Sequence, residues 1–277
     1  MKFLYVFFLL LHSLQAYHKT SLLLTSIKLR CAIVPELTCT MHDDVLVVEW
    51  NAHLPKHTLM VFNEHARELV TGELALQVIM QLSRWKPAHR VTIIPVLNVW
   101  GRRYVEAGHP CQRKTERGID PNRNYQIRGF NEHRYKKSSE EYEGPHPLSE
   151  KESKLVSSLL LQGVKRYINV HSGEKSIYMG YDSKIGVRPK NYDVMAKNIK
   201  KWGEMCSECA IGPAASTSSY RAYGTSVDYA LYNGIEEAYT LEVYGGISYD
   251  CEKMFNPSSG ELQAVLNKWS KIIKEIL

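Results

Sequence analysis

The chain has 277 residues, a formal net charge of +6, 44% hydrophobic residues and 23% charged residues. That is the balance of a globular protein long enough for one large α/β domain or two small ones, and it excludes a disordered or collagen-like chain. Its cations are scattered apart from short clusters at Arg134-Tyr135-Lys136-Lys137 and around Lys197, Lys200 and Lys201; with no basic stripe and no reader motif, nucleic acid is not an expected partner.

The first element in chain order reads as a targeting segment. Lys2 precedes an unbroken apolar run from Phe3 to Leu11, and Ala16 follows at a suitable cleavage position. The run is too short to span a bilayer. Residues 1–16 are therefore expected to be a signal peptide and 17–277 the folded domain, secreted or lumenal (vacuole or granule), with no membrane association after cleavage. Cysteines 31, 39, 111, 206, 209 and 251 form an even set compatible with an oxidising compartment, and their pairing is left open. The Cys206-Ser207-Glu208-Cys209 pair has no second pair and no nearby His. Structural or disulfide cysteines are the expectation there, rather than a redox or zinc knuckle. No glycosylation sequon supports secretion, because Asn256 is followed by Pro257.

Strand-like and helix-like runs then alternate. Residues 45–48 and 59–62 are apolar and partly β-branched, and 68–82 carry Leu69, Leu74, Leu76, Ile79 and Leu82 at helical spacing. The near-continuous apolar run 91–97 predicts a strand buried on both faces. Residues 101–146 are polar, rich in Gly, Arg, Asn, Tyr and Glu, and predict a long irregular loop of the kind that often carries function. Ser149 with Glu152 predicts a capping box opening a helix that runs to about Leu161. A strand at 164–170 ending at His171, a helix at 192–206, a strand at 238–243 and a closing helix at 259–276 complete the pattern. It contains no repeats or linkers. It predicts a single α/β domain, with a mixed central β-sheet flanked by helices on both faces.

The chemistry-bearing residues sit at the ends of these elements. His65 and Glu68, in Asn63-Glu64-His65-Ala66-Arg67-Glu68, follow a strand and enter a helix, and His171 ends another strand. Two His and one carboxylate make up a common catalytic zinc set, and strand ends of an open α/β sheet can converge on one point outside its carboxyl edge. An isolated His-x-x-Glu is weak evidence, since the chain holds a second one in His171-Ser172-Gly173-Glu174; there Glu174 is taken as a bystander. Arg113-Lys114-Thr115 and Gly118-Ile119-Asp120-Pro121-Asn122-Arg123-Asn124-Tyr125 bring cations suited to planar recognition of a carboxylate. Glu242 lies inside an apolar strand, where a charge is costly unless it is paired or functional.

Together, His65-Ala66-Arg67-Glu68, Arg113-Lys114-Thr115, Asp120-x-Asn122-Arg123-Asn124, His171-Ser172, Ser219-Tyr220 and Thr240-Leu241-Glu242 resemble, in order and near-matching spacing, the zinc metallocarboxypeptidases of the carboxypeptidase A/B type. The resemblance runs from about residue 45 to the C-terminus. It implies one zinc per chain held by His65, Glu68 and His171, the ligand set for which carboxypeptidase A is a standard example. It implies Glu242 as general base toward a zinc-activated water and Arg113 as oxyanion stabiliser. Asn122 and Arg123 would hold the substrate's C-terminal carboxylate, Tyr220 would close over the substrate, and Arg67 would line the site further along the peptide. Asp120 would accept the second ring N–H of His65.

The resemblance makes Val227 the reader of the C-terminal side chain and implies a preference for apolar or aromatic residues. Ala222 and Thr240 agree with that, whereas Thr225 is bulkier than the family's Gly and Asp182 falls near a pocket-lining stretch. The implied function is hydrolysis of C-terminal peptide bonds of peptides or proteins by a monomer. A related amidohydrolase acting on acyl-amino acids or cell-wall peptides, and a catalytically silent binding protein, stay open as alternatives. Three departures stand out. Asn98-Val99-Trp100-Gly101 replaces the family's Asn-Pro-Asp-Gly, and Gly173 replaces a Tyr. The stretch between Ala16 and His65 is expected to be too short for both an inhibitory domain and a complete catalytic N-terminus.

Overall fold

A computed structural model describes residues 17–277; the expected signal peptide, 1–16, lies outside the described residues. Eight strands form one mixed sheet: β1 (Leu37–His42), β2 (Val45–Trp50), β3 (His57–Phe62), β4 (Arg90–Ile94), β5 (Arg166–His171), β6 (Lys175–Met179), β7 (Ala210–Pro213) and β8 (Glu237–Val243), in the order β1-β2-β4-β3-β5-β8-β6-β7. The four central strands β4, β3, β5 and β8 run parallel to one another. Every residue of β3, His-Thr-Leu-Met-Val-Phe, is buried, as a strand covered on both faces requires.

Helices cover both faces. Helices α1 (Thr20–Ile33), α2 (Leu69–Trp85) and α9 (Ser259–Ile276) pack together, and α9 reaches α5 (Tyr192–Gly203). Helix α4 (Lys151–Leu160) packs on α7 (Ser226–Tyr232), which rests on β5 and β8. Of the periodic apolar residues of α2, Leu74, Ile79 and Leu82 are buried, joined by Val70 and Val78, while Leu69 and Leu76 are half-buried. Two short helices, α6 (Ala214–Thr217) and α8 (Cys251–Phe255), border the cleft described below. Among the described residues no helix is long and apolar enough to cross a membrane.

All six cysteines pair, as Cys31–Cys39, Cys111–Cys251 and Cys206–Cys209, with Cα separations of 5.9, 5.3 and 5.4 Å inside the range a disulfide spans. Cys111–Cys251 ties the long polar loop to α8 across 140 residues of sequence.

Two local expectations are corrected. The stretch 101–146 is not wholly irregular: α3 (Val99–Glu106) opens it, and a 3-10 turn at Pro121–Arg123 interrupts it. Asn98 caps α3 by accepting the Gly101 N–H at 2.9 Å, which supplies the start signal that Val-Trp-Gly lacks. The capping box expected at Ser149 and Glu152 is absent. Helix α4 begins at Lys151 after Glu150, which makes no side-chain cap bond. Ser149 Oγ instead donates to Glu150 Oε1 at 2.9 Å and accepts from Asn124 Nδ2 at 3.0 Å, because the loop carrying Asn124 packs over the helix start. A capping box does form at Ser258 and Glu261, at the start of α9.

Glu152 is only 3% exposed, and burial pushes its carboxyl up to about 7. The folded state therefore keeps a proton that the unfolded chain releases near its usual 4.5, so this group lowers stability progressively as pH rises from about 4.5 to 7. Glu152→Gln is expected to flatten the pH dependence of denaturant unfolding across that window, by on the order of 2–3 kcal/mol at pH 8. Parallel curves for the two proteins would contradict this.

Candidate metal centre and substrate cleft

Because β3, β5 and β8 run parallel, their carboxyl ends share one edge of the sheet. Phe62 pairs with Val170, and His171 pairs directly with Glu242. The chain leaving β3 turns at Asn63, whose φ of 49° is left-handed, a conformation that Asn tolerates better than most residues. Its amide Nδ2 donates to the carbonyls of His65 (3.0 Å) and Glu68 (3.2 Å), while buried Arg102 donates to its Oδ1 at 3.0 Å. These bonds present His65 and Glu68 on one short rigid turn.

His65, Glu68 and His171 converge, all buried, with ligand atoms within 4.8 Å of one another. His65 Nδ1 lies 2.8 Å from Glu68 Oε1 and 3.1 Å from His171 Nδ1, and His171 Nδ1 lies 3.1 Å from Glu68 Oε2. Zinc held at about 2.0–2.1 Å in a tetrahedron separates its ligand atoms by roughly 3.3 Å, so the donor set and its spacing fit that metal. Glu68 is oriented further by the Ser172 N–H, 3.1 Å from its Oε2. Burial alone would raise the pKa of Glu68, but His65 and His171 hold it below the usual carboxylate range.

On the far side of His65, Asp120 Oδ1 sits 3.2 Å from Nε2. Asp120 also accepts from Arg113 Nε at 2.8 Å and from the Asn122 N–H at 2.9 Å. Its burial would raise its pKa, yet Arg113, His65 and Arg123 hold it well below the usual value. Arg113 reaches the metal cluster, with Nη1 3.2 Å from His65 Nδ1.

Glu242 stands beside this cluster with its Oε2 lacking a hydrogen-bond partner. Burial, then the charges of Glu68 and Glu174, push its carboxyl well above the ordinary value. Glu174, outside the metal set, lines the cleft and accepts the Tyr178 O–H at 2.6 Å. The turn between β5 and β6 brings it back beside Glu242. The chain's second His-x-x-Glu was the available signal, although its Glu adjoins Glu242 rather than the His-Glu-His set.

The same cleft, with a volume of about 240 Å³, is lined by Arg67, Arg113, Asn122, Arg123, Tyr220 and Asp182 among others. Arg123 is 2% exposed, donates to Glu141 Oε1 at 2.8 Å and to the Asn122 carbonyl at 2.9 Å, and keeps an unpartnered Nε. Arg67 pairs with Glu140 at 2.7 Å and lies over the Phe255 ring at 4.2 Å. Tyr220 is half-exposed at the rim.

Val227 is different. It is buried in the core with its Cγ1 against Gly180, and it is not among the residues lining the cleft. Gly173, at φ 141°, leaves room for Phe255: a Cβ there would meet the Phe255 ring at 2.9 Å. The ring from α8 occupies space that the family's Tyr would contest.

An α/β sheet with a buried His-Glu-His set at its carboxyl edge and a carboxylate one strand away defines a metal-dependent site. The profile of the zinc carboxypeptidases matches residues 44–269, and the chain belongs to that family. It is 31% identical to rat carboxypeptidase B over 171 residues, covering 54% of this chain and 40% of the relative. Mouse carboxypeptidase A4 is 29% identical over 204 residues, covering 65% and 48%. The chain thus spans less than half the length of these relatives. The fold is similar to that of bovine thrombin-activatable fibrinolysis inhibitor, solved in complex with tick carboxypeptidase inhibitor (TM-score 0.79, 21% identity, 94% of this chain and 96% of that one). It is also similar to carboxypeptidase A from Helicoverpa armigera (TM-score 0.81, 18% identity, 94% and 73%).

Zinc addition is expected to raise the melting temperature of metal-free protein with one-to-one stoichiometry, by an amount equivalent to about 2.7 kcal/mol at zinc 100-fold above its dissociation constant. Glu68→Ala is expected to abolish that gain. Calorimetric titration and thermal melts check both, and an unchanged gain in the variant would move the metal elsewhere.

Proposed function

We propose that this protein is a zinc-dependent carboxypeptidase that removes C-terminal residues from peptides or proteins. The observation that carries the reading is the convergence of His65, Glu68 and His171 at one edge of the sheet, with Glu242 paired in register with His171 and Arg123 in the same cleft. When bound, zinc supplies Lewis-acid polarisation of a carbonyl and lowers the pKa of water to about 7. His65, Glu68 and His171 hold it, and Asp120 keeps His65 in the required tautomer.

Glu242 takes the proton of the attacking water and passes it to the leaving amine. Its buried carboxyl, with an Oε2 free of protein hydrogen bonds, suits a group that must accept a proton and then give it up. Arg113 stabilises the developing oxyanion. Arg123, with Asn122, binds the free carboxylate of the substrate, which confines cleavage to chain ends because an internal peptide would leave that buried guanidinium without an anionic substrate partner. Tyr220, exposed at the rim, covers the bound residue, and Arg67 meets the peptide further along. Three disulfides support a secreted or lumenal setting.

Two readings of the C-terminal side-chain preference arise. Val227 favours apolar residues, but it is buried away from the cleft lining. Asp182 lines the cleft, is 7% exposed, and has an Oδ1 without a hydrogen-bond partner. Burial raises its pKa while Thr225, Arg123 and His171 oppose the rise. A buried carboxylate with an unused oxygen beside a substrate cleft favours a cationic side chain, Lys or Arg, as its partner.

Blocked dipeptides that differ only in the last residue test both levels. Zinc-dependent release of the last residue is expected, with Arg and Lys ahead of Phe and Leu, and Asp182→Ala reversing that order. Glu242→Gln is expected to lower kcat by about 10²–10⁴-fold, and substrates amidated at the C-terminus are expected to resist. Cleavage of acyl-amino acids or cell-wall peptides alone would favour an amidohydrolase. An unchanged rate in Glu242→Gln would remove the proposed base.

A further inference from the structure

Both candidate ligand imidazoles turn Nδ1 toward the metal position, 3.1 Å apart. A nitrogen that donates its lone pair to a metal carries no proton, so in each ring the proton sits on Nε2 and needs an acceptor. His65 has Asp120. His171 Nε2 faces Asn122 Nδ2 at 3.3 Å and Glu64 Oε2 at 3.5 Å. The Ser226 N–H donates to Asn122 Oδ1 at 2.9 Å, which fixes the amide with its NH₂ toward His171. That group is a donor and cannot accept. Of these two neighbours only the Glu64 carboxylate, 3.5 Å away, can accept.

Glu64 is fully buried, and its position is over-determined. Asn169 Nδ2 donates to Oε2 at 2.7 Å, and the Tyr125 O–H lies 3.3 Å from Oε1. Asn169 stands two residues before His171 on β5, so both side chains leave the same face of the sheet. Asn169 Nδ2 also donates to Ser226 Oγ at 2.9 Å. One compact network therefore holds Glu64, Asn122 and His171 together. A buried carboxylate is costly unless its charge is used, and beside its neutral donors Asn169 and Tyr125 stands one group able to carry the opposite charge, the imidazole of His171 at 3.5 Å.

We infer that Glu64 is a positioning residue for the metal: it accepts the Nε2–H of His171, fixes that ring in the tautomer that frees Nδ1, and raises its basicity. Each histidine of the site then has its own buried carboxylate, Asp120 for His65 and Glu64 for His171. The pairing adds negative charge behind the second ring and strengthens the hold on a divalent cation. This inference rests on the His-Glu-His reading of the metal site.

Zinc affinity of the purified full chain, measured by competition with a chromophoric chelator, tests it without reference to catalysis. Loss of an outer acceptor of this kind typically weakens metal binding by about 10–100-fold. Glu64→Gln, which keeps an acceptor oxygen but removes the charge, is expected to weaken zinc within that range, and Glu64→Leu to weaken it more. Cobalt-loaded Glu64→Gln is expected to display shifted d–d bands relative to the cobalt-loaded wild type, which a merely structural role would not produce. Unchanged zinc affinity in both variants would overturn the inference while leaving the metal site intact. Absence of zinc binding by the wild type would overturn the site reading along with it. Should either variant fail to fold, nitrogen-detected NMR of the zinc-loaded wild type decides: a protonated Nε2 on His171 supports the inference, and a protonated Nδ1 overturns it.

Discussion

Everything at this site depends on one electrostatic constraint: two imidazole lone pairs and a carboxylate are held about 3 Å apart in a buried space. Imidazole Nδ1 atoms 3.1 Å apart repel when both are unprotonated, and a shared cation reverses the sign of that interaction. The parallel register of β3, β5 and β8 creates the crowding by bringing three strand ends to one edge. Surrounding groups then prevent its relief. Asn63, locked by Arg102, fixes the turn; Asp120, locked by Arg113, fixes one ring; the Ser172 N–H fixes Glu68.

The cleft in front of this cluster holds polar groups that the fold leaves incompletely satisfied. Arg123 Nε, Asp182 Oδ1 and Glu242 Oε2 are buried without hydrogen-bond partners. Groups of that kind are rare in folded proteins, and each costs stability unless a ligand completes it. Others lie away from the cleft, at Arg30, Arg102, Asn131, Tyr167 and Asn169, but these three line it and would be completed by the proposed substrate: a carboxylate for the arginine, a cationic side chain for Asp182, and water for Glu242. The Cys111–Cys251 link and the Phe255 ring over Gly173 brace the opposite wall.

The parts of this architecture visible in the sequence were those with short-range signatures. Buried central strands read as apolar runs, and β3, β4, β5 and β8 lie where those runs predict, to within a few residues. Glu242 stood out because a charge inside an apolar strand is expensive, whereas His65, Glu68 and His171 were singled out only jointly, by the ordered set of motifs along the chain. Edge strand β1, largely exposed, has no such pattern. Short helices such as α6 and α8 are set by tertiary packing rather than by periodicity. Ser149 and Glu152 satisfied a local capping rule, yet contacts from the Asn124 loop took Ser149. Glu64 had no sequence signal to separate it from surface carboxylates, since its partners His171 and Asn169 meet it only across strands; Glu174 had only its place in the second His-x-x-Glu, and its partner Tyr178 lies across the turn. Val227 was selected by its place in a motif, but its side chain is buried in the hydrophobic core beside Gly180.

The claim on which the account turns is that two histidines and one carboxylate of this chain hold the metal. X-ray absorption at the zinc edge of zinc-loaded protein tests it most directly. The account predicts a first shell of two imidazole nitrogens with carboxylate and solvent oxygens at about 2.0–2.2 Å. Sulfur scatterers near about 2.3 Å, or a shell of oxygens without imidazole, would contradict it.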